Sequence, residues 1–188
     1  MSILCFSIDI WIIGSSIIKN AFCHARMTAS MRLGLTGNVD VWWQGYSGMH
    51  LLDLIPKIQL LLNIKGNRPN IIIVHVGGND IGRLPINELM RDYLKTLDAL
   101  TTMLPGVKIG LSQILPRTAW RFSNNSNAMS KSRRRINSYI KNIILDRNGF
   151  FIYHSITRVH LSPDGVHLTP QGNDSFVRAL ATKLAQVL

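Results

Sequence analysis

Five short apolar runs alternate along this 188-residue chain with longer segments in which apolar positions recur at helical spacing. The runs lie at residues 8–13, 39–43, 70–75, 107–111 and 150–153, and each predicts a strand. The clearest is Asn70-Ile-Ile-Ile-Val-His75, rich in β-branched residues and bounded by Pro69 and Gly77. Between the runs, the 3.6-residue period predicts helices over about 16–33, 49–62, 86–103 and 130–147. Leu104-Pro105-Gly106 ends the third of these, and a polar loop rich in Ser and Asn, residues 117–127, precedes the fourth. Pro170 opens a last helix, at a position where the missing N–H costs nothing.

Regular alternation of strand and helix predicts one α/β domain over 1–188, a parallel sheet of five strands with helices on both faces. Near-continuous apolar strands such as residues 71–74 suit a sheet covered on both sides. Ligands in such folds bind beyond the carboxyl ends of the strands, so functional residues are expected there.

The first strand ends in Gly14-Ser15-Ser16, directly before a helix. A serine there is presented at the top of the sheet, where the helix N-terminus stabilises developing negative charge. Taken alone it reads first as an N-cap. The second strand runs into Gln44-Gly45-Tyr46-Ser47-Gly48, where glycines let backbone N–H groups face a small ligand or simply form a turn. After the third strand come Gly77-Gly78-Asn79-Asp80, with Asn79 a neutral side-chain donor suited to an oxyanion. Past the fifth strand, Ser162-Pro163-Asp164-Gly165-Val166-His167-Leu168-Thr169 sets a carboxylate three residues from an imidazole, just before a helix. That spacing lets Asp164 hold one ring nitrogen of His167 while the other faces a nucleophile. Ordinary turn chemistry explains each segment singly. A nucleophile, two oxyanion donors and an acid–base pair at four strand ends are not explained by four unrelated turns.

On these blocks the chain resembles the SGNH (GDSL-like) hydrolases, with Gly14-Ser15-Ser16, Gly48, Gly77-Gly78-Asn79-Asp80 and Asp164-Gly165-Val166-His167 as the four blocks. The resemblance implies a flavodoxin-like three-layer α/β/α sandwich, a serine esterase acting on carboxylic esters, and no metal or organic cofactor. It implies Ser16 as nucleophile, Asp164 and His167 as its partners, and an oxyanion hole from the N–H groups of Ser16 and Gly48 and the Asn79 side chain. Gly45 is the alternative for the second block. Two positions depart from the family pattern: Ser15 stands where Asp usually precedes the nucleophile, and Met49 follows the second-block glycine where a polar residue is common. The combination of Trp-Ile-Ile-Gly-Ser-Ser-Ile, His-Val-Gly-Gly-Asn-Asp and Ser-Pro-Asp-Gly-Val-His-Leu-Thr further resembles the esterase domain of LINE-type retrotransposons. There the domain lies in the first-open-reading-frame protein, which packages element RNA.

Absence of a long insertion between blocks suggests an open site suited to acetyl or other short acyl groups, while Trp42, Tyr46, Met49 and Trp120 are candidates for a greasier, lipid-accepting pocket. His75 on the third strand reads as a core histidine, and His160 as a rival base to His167.

Charge points to a second kind of partner. Lys and Arg number 21 against 10 Asp and Glu, a net charge of +11 that attracts polyanions. Lys131-Ser132-Arg133-Arg134-Arg135 opens the fourth helix, and consecutive arginines step about 100° around it, so they do not share one face. They form either a solvated surface or a contact for the phosphates of RNA or of an anionic membrane. A non-catalytic binding module on a hydrolase fold, or an acyltransferase, is the rival to the esterase.

The hydrophobic fraction of 46% excludes a disordered chain. Two cysteines, Cys5 and Cys23, exclude a disulfide framework, with Cys5 expected to be a buried thiol in a reducing compartment. Residues 3–18 are apolar enough to suggest a leader or a span. They lack a basic start, carry Asp9, and fall short of the ~20 residues a span needs, so they read as a buried strand. The expected setting is the cytoplasm, in ribonucleoprotein particles or peripherally on membranes, as one domain of a larger protein.

Overall fold

The computed structural model describes residues 7–28 and 30–188, and Cys5 lies outside them. Strands β1 (Ile8–Gly14), β2 (Val39–Gly45), β3 (Ile71–His75), β4 (Lys108–Ser112) and β5 (Phe150–Ile152) form one sheet in the order β2-β1-β3-β4-β5. All four pairings are parallel. This is the flavodoxin-like order, whose topological switch point falls between β1 and β3.

Strand β1 shows how the layers are built. Its side chains alternate faces, as the two-residue period of a strand requires. Trp11 and Ile13 pack with residues of α2 (Leu54–Lys65), α3 (Ile86–Met103) and α4 (Ser126–Leu145), among them Ile58, Leu97 and Ile140. Ile10 and Ile12 pack instead with α1 (Ser16–Met27) and α5 (Pro170–Val187), against Ile18, Phe176 and Leu180. These four β1 side chains are wholly buried. At about 1.5–3 kcal/mol for each large apolar side chain, burial on both faces dominates the stability of the sheet. The expected three-layer sandwich is therefore the fold.

Element ends differ from expectation in three places. Helix α1 stops at Met27, after which Leu33 and Gly34 adopt positive φ. Leu33 is still 4% exposed, so the apolar period beyond residue 27 reflects a packed turn and not a helix. A 3-10 turn, Leu51–Asp53, precedes α2 and is closed by a bond from the His50 N–H to the Asp53 carboxylate. Helix α4 begins at Ser126, earlier than expected, because the Asn125 side chain accepts the Ala128 N–H and caps it there.

Candidate active site

Gly14 pairs with Gly45 on β2 and with His75 on β3, so the chain leaving β1 emerges between two strand ends. The two glycines make this possible. A β-carbon at Gly14 would lie 2.2 Å from the His75 carbonyl oxygen, and one at Gly45 would lie 2.2 Å from the Lys19 backbone nitrogen. Without side chains there, α1 starts hard against the sheet. Ser15 is its N-cap residue and is buried, but its side chain makes no cap hydrogen bond. Backbone bonds hold the turn instead: Ser15 N–H to the His75 carbonyl at 3.1 Å, and Tyr46 N–H to the Gly14 carbonyl at 2.8 Å. Ser16 follows at the first position of α1, half-buried.

The loop after β5 brings Asp164 and His167 to the same point. A bridge between Leu161 and Leu168 closes its base, and the Ser162 N–H donates to the His167 carbonyl at 2.8 Å. Asp164 Oδ1 accepts the N–H groups of Val166 and His167, both at 2.9 Å, which fixes the carboxylate in the loop. Its Oδ2 lies 2.5 Å from His167 Nδ1, and His167 Nε2 lies 3.0 Å from Ser16 Oγ. The carboxylate requires the proton on Nδ1, leaving Nε2 to accept from the serine hydroxyl. The His167 bond, followed by the two backbone N–H groups, draws the Asp164 pKa down to about 2. His160, the rival base, is turned away: its Nδ1 accepts the Thr157 N–H at 3.0 Å.

Across the strand ends, Asn79 and Gly48 line a shared cavity of about 90 Å3, with Ile81, Arg117, Trp120 and Phe122 among its walls. The Asn79 amide is oriented from both sides. Its Nδ2 donates to the Met49 carbonyl at 3.0 Å, and both terminal nitrogens of Arg117 donate to its Oδ1, at 3.3 and 3.4 Å. One Nδ2 proton is left over for another acceptor. Gly48 has φ of +74°, and a β-carbon there would meet nothing within 4 Å. Gly45 is constrained by packing against α1, whereas Gly48 is exposed beside Asn79 in the cavity wall.

Two of the expected pocket residues are placed elsewhere. Trp42 packs edge-on against Trp11 with the Lys65 ammonium over its ring, away from the cavity. Met49 is 3% exposed and belongs to the core, contributing only its carbonyl to the hold on Asn79. For Trp42 this follows from alternation, because the face of β2 that carries it looks into the α2–α4 layer, and Met49, in the loop beyond β2, packs into the same core. Tyr46 borders a second depression beyond Gly48, with Lys19 and Lys57, and Trp120 lines the cavity itself. Of the basic cluster, Lys131, Arg134 and Arg135 are exposed, but Arg133 donates to the Ile114 carbonyl at 3.0 Å and ties α4 to the β4 loop.

Three residues that support the site have no role assigned to them by the sequence, although Asp80 closes the third block. Asp80, 1% exposed, accepts the Leu51 N–H at 2.9 Å and meets His50 Nδ1 and Arg83 at 3.0 Å, so it anchors the Gly48 loop. His50 lines the cavity as well. Arg117 is brought in because its loop packs on the Asp164 loop, with the Thr118 N–H donating to the Gly165 carbonyl at 2.9 Å. His75, read as a core histidine, is indeed buried, with Nδ1 2.9 Å from Ser112 Oγ, which in turn lies 2.7 Å from His154 Nε2.

A flavodoxin-like sheet with this Ser–His–Asp chain beside its switch point belongs to the class of α/β hydrolytic enzymes. Residues 12–174 match the family described as GDSL-like Lipase/Acylhydrolase, and the chain is a member of that family, a hydrolase of the esterase type. No curated protein sequence matches it significantly. Solved structures share the fold at low identity. A GDSL-like lipase from Bacteroides thetaiotaomicron is 13% identical with a TM-score of 0.74, covering 96% of this chain and 89% of its own. An acetyl xylan esterase variant from Geobacillus stearothermophilus is 16% identical with a TM-score of 0.71, covering 96% and 97%. A family 3 carbohydrate esterase from Clostridium thermocellum is 17% identical with a TM-score of 0.71, covering 94% of each chain.

Proposed function

We propose that this protein is a serine esterase in which Ser16 attacks a carboxylic ester. The carrying observation is the continuous bond chain Ser16 Oγ to His167 Nε2, 3.0 Å, and His167 Nδ1 to Asp164 Oδ2, 2.5 Å. His167 takes the Ser16 proton as the C–O bond to the acyl carbon forms, then gives it to the leaving alcohol as the ester bond breaks. Water repeats the sequence on the acyl-enzyme, releasing the acid and freeing Ser16. Asp164 holds the imidazole in the required tautomer and stabilises the imidazolium. The N–H groups of Ser16 and Gly48 and the free Nδ2 proton of Asn79 receive the oxyanion.

The lack of a long insertion between the blocks, with only a small cavity of about 90 Å3 beside Gly48 and Asn79, favours short acyl groups, acetyl first, over long lipid chains. The test is covalent trapping with a fluorophosphonate. Ser16 Oγ displaces fluoride from phosphorus, and peptide mass spectrometry should find the adduct on Ser16 and none after His167→Ala. Labelling elsewhere, or none in the folded protein, contradicts the assignment. An alcohol in place of water in the second step would make the same site an acyltransferase, which product analysis with added alcohols distinguishes.

A second reading concerns the basic surface. Arg134 and Lys141 border a cleft of about 400 Å3 with Tyr153, whose ring lies 5.3 Å from the Lys141 ammonium. That cluster, with the net charge of +11, supports phosphate contact with RNA or an anionic membrane. It fits a role as the esterase domain of a retrotransposon-encoded RNA-packaging protein, a placement that rests on the sequence blocks. RNA filter binding and vesicle flotation with Arg134→Gln/Lys141→Gln test it.

A further inference from the structure

Arg117, which holds the Asn79 amide and lies with its guanidinium carbon 5.8 Å from the Trp120 ring centroid, has no carboxylate partner among the described residues. Arg117 is half-buried, both its terminal nitrogens share the single neutral Asn79 Oδ1 at 3.3 and 3.4 Å, and it forms no ion pair among the described residues. Those bonds are long for a guanidinium, which makes its strong contacts to carboxylate or phosphate as a two-pronged donor. The carboxylate whose field it feels, Asp164, has its oxygens committed to His167 and to two backbone N–H groups. Burial pulls the Arg117 pKa down, the mark of a charge that has lost water without full compensation. Its cavity is also lined by the exposed Arg121 and by the Trp120 and Phe122 rings, and among the described residues no acidic side chain lines it. A partly desolvated cation walled by aromatics and facing an open cavity is a site prepared for an anion.

We propose that Arg117, with Arg121 at the cavity mouth, is a specificity-determining pair that selects esters bearing a carboxylate or phosphate close to the scissile bond. The proposal rests on the esterase reading above. Binding the anion through the fork of Arg117 would hold the ester carbonyl next to Asn79, so charge recognition and oxyanion alignment are coupled through one guanidinium.

The anion has two possible sources, the alcohol side or the acyl side of the ester, and paired substrates separate them. kcat/KM is measured for 4-acetoxybenzoate and for mono(4-nitrophenyl) succinate, each against its uncharged methyl ester, at low salt. The expected result is a preference of about tenfold or more for the charged member of one pair, eroded by added salt. Arg117→Gln should lower turnover of all four and reduce that ratio toward one, while Arg117→Lys retains part of it and Arg121→Gln weakens it through KM. The ratio in the parent enzyme stands even where a variant folds poorly. Ser16-dependent hydrolysis of the neutral esters with no charge preference in either pair overturns the anion subsite and leaves the esterase intact. No turnover of any ester by the folded protein overturns both.

Discussion

Asp80 holds Leu51 in place across the gap between the β3 and β2 loops, its carboxylate accepting the Leu51 N–H at 2.9 Å. The same carboxylate meets His50 and Arg83, and Asn79 beside it binds the Met49 carbonyl. The Gly48 loop is thus fastened to the Gly77–Asp80 turn by two adjacent side chains, and the proposed oxyanion donors are positioned as one unit. Asp80→Asn keeps the shape and removes the charge. It should cost about 1.5–3 kcal/mol, the range for hydrogen bonds to charged groups, and lower kcat with little change in KM. Urea unfolding alongside steady-state kinetics checks this, and an unchanged kcat would detach Asp80 from the site.

Asn79→Ala removes a proposed oxyanion donor without touching the serine or histidine. The expected loss in kcat is ~10²–10³, with covalent trapping of Ser16 slowed but not abolished. A loss below threefold would mean the amide only braces the Met49 carbonyl.

The two glycines of the second loop should respond differently. Alanine at Gly45 would press its β-carbon against the Lys19 backbone, so Gly45→Ala is expected to unfold or to fall sharply in Tm. Gly48 faces open space at φ +74°, and Gly48→Ala should fold with a cost of about 1–2 kcal/mol for the left-handed backbone. Thermal melts of both variants decide, and the reverse ranking would contradict the packing described.

These loops mark the boundary of what the sequence discloses. Element ends were legible because Pro69 and Gly77 bound the β-branched run of the third strand and Leu104-Pro105-Gly106 ends the helix before the fourth, where backbone chemistry leaves little choice. The Asp164–His167 pair was legible because its bonds are local. The start of α4 was obscured by the run Ser123 to Asn127, every member of which is a capable cap. Arg117 was silent for a different reason: a single arginine in a loop acquires its place only when the β4 and β5 loops pack together. Trp42 and Met49 misled because an aromatic or thioether near a site looks the same whether it faces the cavity or the core.

The His75–Ser112–His154 cluster gives a pH signature. Burial, with Arg117 nearby, lowers the His75 pKa to about 3, and burial, with His75 nearby, lowers that of His154 well below 6.5. Both histidines are neutral when folded and take up protons on unfolding below pH 6.5. The unfolded state then binds more protons, so stability is full above pH 6.5 and declines as the pH falls toward 3. The slope is up to about 1.4 kcal/mol per pH unit for each histidine. Urea midpoints measured from pH 7.5 to 4.5 should show this fall, and a flat profile would contradict the buried neutral pair. Ser112→Ala, which strips both rings of their shared partner, should cost about 1–3 kcal/mol at pH 7.5.

The central claim is that Ser16 carries the reaction, and hydrolysis of p-nitrophenyl acetate by the parent and by Ser16→Ala tests it most directly. Release of nitrophenolate by the parent, reduced at least ~10³-fold in a Ser16→Ala protein with the same circular dichroism spectrum, is the predicted result. Equal rates in the two folded proteins would contradict it.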